Sequence, residues 1–94
     1  MENKFDISQF VNTQTEGGII SALVERAKLR RKEVNLTQHN LAVKSGVSYS
    51  SIRRFESTGE ISLSSLIKIA DALDCLNDFN SLFKNKKIKS IKDL

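Results

Sequence analysis

Between Thr37 and Gly59 the sequence TQHNLAVKSGVSYSSIRRFESTG twice repeats one grammar: a hydroxyl residue, a short run at helical spacing, then a glycine. Thr37 opens the first run and Gly46 closes it. Ser48 opens the second and Gly59 closes it. Serine and threonine at these positions accept a hydrogen bond from a backbone N–H that the first helical turn leaves unpaired. Glycine at the far end takes the left-handed conformation without a Cβ penalty. The pattern predicts a helix over about 38–45 and another to about 57, joined by a tight turn, with Leu41, Ala42, Val47, Ser51, Ile52, Phe55 and Glu56 facing inward. Ala42 falls where the two helices cross closely, and Val47 and Ile52 plug the space between them.

The same reading extends along the chain. Ile20, Leu23, Val24, Ala27, Arg31 and Val34 follow i, i+3, i+4 spacing and predict a helix from Ile19 to Val34. Gly17-Gly18 are read as punctuation before it, and a break at Asn35-Leu36 follows it. Ser62 caps a fourth helix with Leu63, Leu66, Ile67, Ala70 and Leu73 on its apolar face. Asn77 is expected to cap a short fifth helix carrying Phe79, Leu82 and Phe83. Residues 1–18 form an N-terminal extension with Phe5, Ile7, Phe10 and Val11. Residues 19–83 form the helical domain, and residues 84–94 a lysine-rich tail. The expectation is all-α, five short helices in one small domain, a size that buries only about 60% of its unfolded surface.

Charge is distributed unevenly. The net charge is +4, yet residues 25–56 carry eight Lys or Arg against Glu25, Glu33 and Glu56, and the tail carries five lysines against Asp93. Residues 57–83 are net acidic. Positive charge gathered in one internal segment and in the tail is a footprint for a polyanion.

The residue inventory excludes other classes. One His and one Cys cannot build a multi-ligand zinc site. Cys75 has no intrachain partner and is expected to behave as a small core hydrophobe. Gly17-Gly18 lacks the Gly-Lys-Ser/Thr of a phosphate loop, and no Ser, His and Asp fall at a spacing with catalytic logic. A non-enzyme without cofactor or metal is expected. No apolar run is long enough for a membrane span, no secretory signal is visible, and a reducing cytoplasm is the expected location.

With the inner residues of the second short helix assigned, helical geometry leaves Ser48, Tyr49, Ser50, Arg53 and Arg54 on its outer face. Small hydroxyls let a helix approach a duplex closely, and arginine can donate two hydrogen bonds to guanine O6 and N7 in the major groove. Two helices joined this way have the spacing of a helix-turn-helix. Tyr49 has a plainer reading as a cover for apolar surface. Lys28, Arg30 and Lys32 are divided between solvent, the favoured reading, and contact with DNA. Lys44 is divided between phosphate contact and solvent, and His39 between solvent and the neighbourhood of a phosphate.

LTQHNLAVKSGVSYSSIRRFE followed by GEISLSSLIKIADALD resembles the Xre/Cro/C1-type helix-turn-helix domain of bacterial and phage regulators, over about residues 20–83. The Thr-Gln pair, the Leu-Ala, the Gly-Val-Ser turn, the Ile, the Phe-Glu and the Ser-Leu-x-x-Leu stand at family spacing. Glu60-Ile61 departs from it, since many members carry proline there, a difference expected to affect only the loop. The resemblance implies a five-helix, lambda-repressor-like fold that binds double-stranded DNA. It places Gln38 at a phosphate and against the recognition helix, with Thr37 near the backbone. Tyr49 and Ser50 fall at base-reading positions, Arg53 at a further one, and Arg54 at a base or a phosphate.

Arg31 lies on the apolar stripe of the first helix, where a lone charge is costly, and Glu56 lies on the inner stripe of the recognition helix. The simplest resolution is that the two pair, as related domains often do. A homodimer reading two half-sites is expected, held through Leu82 and Phe83 or through Phe5 and Phe10. The tail has three readings: a solvated end, a set of phosphate contacts, or a segment that docks on a partner through Ile88, Ile91 and Leu94. The stretch Leu73–Leu94, with Asp-Phe-x-x-Leu-Phe and then Ser-Ile-x-Asp-Leu, is similar to the ends of short HipB-like antitoxins, regulators encoded beside kinase toxins. That similarity implies an alternative role, neutralising a toxin protein.

Overall fold

A computed structural model describes residues 14–86. Four α-helices follow one another: α1 (Glu16–Glu33), α2 (Gln38–Ser45), α3 (Tyr49–Thr58) and α4 (Leu63–Ala72). A 3-10 helix, Leu76–Ser81, comes last. There is no strand among the described residues. Phe5, Ile7, Phe10 and Val11 of the extension, and Ile88, Ile91 and Leu94 of the tail, lie outside the described residues.

Local chemistry sets each boundary. The hydroxyls of Thr15, Thr37, Ser48 and Ser62 accept the backbone N–H groups of Gly18, Asn40, Ser51 and Ser65 at 3.0, 3.0, 3.1 and 3.1 Å. Helices α2 and α3 end at Gly46 (φ 77°) and Gly59 (φ 83°), both left-handed. Helices α1 and α4 end differently. Asn35 (φ 60°) and Asp74 (φ 59°) take the left-handed position. The next residues then reach back, Leu36 N–H to Arg31 C=O at 3.1 Å and Cys75 N–H to Ala70 C=O at 2.8 Å. This is the Schellman arrangement, which satisfies orphan carbonyls and turns the following side chain inward. Leu36 and Cys75 accordingly pack against the core. Glu16 in the first turn of α1 and Arg30, Arg31 and Lys32 in its last oppose the helix dipole favourably.

The core lies among α2, α3 and α4. Leu41, Val47, Ile52, Ile69, Ala72 and Leu73 form it, with Ala42 and Ile61 packed at its margin. Phe55 is also buried and α1 packs on α3.

Several expectations are corrected. Helix α1 begins at Glu16, so Gly17-Gly18 sit in its first turn rather than before it. The first turn has N–H groups without intrahelical partners, and the Thr15 cap compensates. Ile20 and Val34, expected inside, are 45% and 40% exposed, while Ala22 is buried. Leu63, expected inside, is 69% exposed, while Ala70 and Leu73 are buried as expected and Ile69 and Ala72 are buried beside them, so the inner stripe of α4 is wider than expected towards its C-terminal end. Apolar residues lie on both sides of that helix, and only its neighbours decide which side is covered. Asn77 caps nothing. It lies within the 3-10 helix, which has no side-chain cap, and its Oδ1 accepts from Asn80 Nδ2 at 2.7 Å. Asn, Asp and Ser side chains compete there for backbone groups and disfavour a regular α-helix. Leu82 and Phe83 fall after it and are exposed.

Candidate nucleic-acid interface

Helix α3 is held from beneath by Ile52 and Phe55, both buried, and by an ion pair. Arg31 Nε donates to Glu56 Oε2 at 2.8 Å and Arg31 Nη2 to Glu56 Oε1 at 3.0 Å. Both side chains are at most 10% exposed. The third nitrogen of the guanidinium, Nη1, donates to the Leu36 carbonyl at 2.9 Å, and Gln38 Nε2 donates to Glu56 Oε1 at 2.9 Å. The carboxylate thus joins α1 and the start of α2 to the recognition helix, and the guanidinium ties in the α1–α2 loop. Burial on its own raises the Glu56 pKa. The hydrogen bonds from Arg31 and Gln38, with the charges of Arg31 and Lys28, outweigh that and hold it below its usual value. Among the described residues no buried side-chain nitrogen or oxygen lacks a partner.

The opposite face of α3 is open. Ser50, Arg53 and Arg54 are exposed, and with Gln38, Ser57 and Lys28 they line a concavity whose floor is the Arg31–Glu56 pair. Lys28 is the member that the sequence reading weighed towards solvent. It lies three residues before Arg31, on the same side of α1, and that spacing was the available signal.

The remaining expected residues sit at its edges. Tyr49, the first residue of α3, is half-buried and stacks on His39 of α2, with ring centroids 3.6 Å apart. The Thr37 hydroxyl is occupied as the α2 cap. The Ser48 hydroxyl caps α3 and also donates to Ser51 Oγ at 2.7 Å. Lys44 is exposed in the last turn of α2 and does not line the concavity. Arg54 Nη2 pairs with Glu60 Oε1, with both side chains about two-thirds exposed. The departure at Glu60 therefore reaches the recognition helix as well as the loop.

No three His, Cys, Asp or Glu side chains come together to hold a metal among the described residues. No helix there is long and apolar enough to cross a membrane. A buried brace beneath a short helix, with serine, tyrosine and arginine on its free side, defines a helix-turn-helix DNA-binding module. The helix-turn-helix family model HTH_3 matches residues 28–76, just over half the chain. The chain belongs to this Xre/Cro/C1-type family of DNA-binding transcriptional regulators. No curated protein and no solved structure shows significant similarity to it.

Proposed function

We propose that the protein is a dimeric repressor that reads a palindromic operator by inserting α3 in the major groove. The observation that carries this reading is the two-sidedness of α3. Its inner face is locked by Ile52, Phe55 and Glu56, while Ser50, Arg53 and Arg54 are exposed beside Lys28. Arg53 reads a base, and Lys28, Arg54 and the N-terminus of α2 hold phosphates. A single helix of this size covers few base pairs, so specificity comes from two half-sites whose centres lie about 34–36 Å apart. Occupancy of a promoter blocks polymerase, in the cytoplasm.

The dimer is supported by apolar surface away from α3. Ile19, Leu23, Ala27, Leu66 and Phe79 line a groove that Leu82 borders, and Phe83 beside it is fully exposed. A second copy buries these side chains. The antitoxin reading rests mainly on the tail, most of which lies outside the described residues, and no structural observation favours it.

Selection of bound sequences from a random duplex pool tests the proposal. An inverted repeat with centres one helical turn apart is expected. A single unrepeated site contradicts the dimer, and the absence of any enriched sequence contradicts base reading.

A further inference from the structure

We infer that His39 is a positioning residue for base recognition: its imidazole, stacked on the Tyr49 ring, sets where the reading side chains at the start of α3 point. The inference rests on the base-reading role proposed for α3. His39 lies in the first turn of α2 and Tyr49 is the first residue of α3, so the contact spans the turn between the two helices. The rings are nearly parallel, 12° apart, with centroids separated by 3.6 Å. The Arg53 guanidinium carbon lies 5.6 Å from the centroid of the same Tyr49 ring. One tyrosine ring therefore touches both the helix expected to sit on the phosphates and the arginine expected to read a base.

A half-buried tyrosine at a helix N-terminus, without a partner for its ring, has more than one rotamer open to it. Stacking removes most of that freedom before DNA arrives, and the cation–π contact carries the restriction to Arg53. A reading face ordered in advance loses less entropy on binding the correct sequence, so the gain appears as discrimination. His39 is itself exposed, so the stack contributes little to the core.

The experiment compares His39→Ala and His39→Phe with the wild type on the selected operator, on operators changed at single base pairs, and on unrelated duplex. His39→Ala is expected to lower discrimination about three- to tenfold at the base pairs read by Tyr49 and Arg53, leaving binding to unrelated duplex unchanged. His39→Phe restores the stack without a charge or a hydrogen bond, and is expected to restore discrimination. Equal weakening of His39→Ala on every duplex, unrescued by phenylalanine, would mean that His39 holds a phosphate and overturns the inference. A second measurement needs no DNA. Tyr49 is the only tyrosine, so its ring-proton resonances are identified without ambiguity, and a stacked imidazole shifts them. They are expected to move in His39→Ala, and unmoved resonances overturn the inference. A wild type with no sequence preference sinks the base-reading proposal and the inference together, whereas a selective wild type with a neutral His39→Ala sinks the inference alone.

Discussion

Arg31 of α1 and Glu56 of α3 meet through two hydrogen bonds, 2.8 and 3.0 Å long, beside the exposed face of α3. The pair fixes α3 against α1 by charge as well as by packing. Removing one partner leaves the other as an uncompensated buried charge. Glu56→Ala is therefore expected to destabilise the protein by about 3–5 kcal/mol, read as a lowered urea midpoint at unchanged slope. A loss below about 0.5 kcal/mol would contradict a buried pair.

The same carboxylate makes stability depend on pH. Its folded-state pKa lies below the ordinary 4.5 because the donors from Arg31 and Gln38, and the nearby positive charges, outweigh burial. As pH falls, the unfolded chain takes up this proton before the folded protein does. The contribution of Glu56 is thus complete at neutral pH, begins to fade below about pH 5, and is lost as pH drops through the depressed folded value. The stability gap between wild type and Glu56→Gln is expected to narrow on acidification. Urea midpoints from pH 7 to pH 3 measure it, and a gap that widens contradicts the assignment.

Gly46 and Gly59 share a left-handed backbone but not a neighbourhood. A Cβ on Gly46 meets nothing within 4 Å, whereas one on Gly59 would sit 2.4 Å from Ile20 Cγ2. Gly46→Ala is expected to cost about 1–2 kcal/mol, from backbone conformation alone. Gly59→Ala is expected to cost about 2–4 kcal/mol, with part recovered in the Gly59→Ala, Ile20→Ala double variant. Strict additivity of that pair would show that the clash is absent.

On the proposed reading, Glu60 competes with DNA for Arg54. Their ion pair is exposed and contributes little to stability. Glu60→Ala is expected to change stability by less than about 0.5 kcal/mol while raising affinity for every duplex roughly two- to fivefold. Duplex titrations at fixed salt measure this. A gain confined to one sequence would place Arg54 on a base instead of a phosphate.

The caps at Thr37, Gly46, Ser48, Gly59 and Ser62 were legible in the sequence because each depends on chemistry within a few residues. The Arg31–Glu56 contact was legible for a related reason: a charge on each of two apolar stripes needs a partner. Other features depend on angles between helices, which spacing does not encode. The exposure of Ile20, Val34 and Leu63 follows from which side of α1 and α4 has a neighbour. The stack of His39 on Tyr49 requires α2 and α3 to bring two rings together across a turn. Lys28 joins the α3 concavity only because α1 passes beneath it.

Methylation interference on the selected operator tests the central claim, that the free face of α3 reads bases in the major groove through Arg53. Methylating guanine N7 is expected to block the wild type at one position per half-site. Arg53→Ala is expected to lose about 1–3 kcal/mol of discrimination at that position and to become indifferent to the methyl group. Interference confined to adenine N3 in the minor groove, or unchanged in Arg53→Ala, would contradict the account.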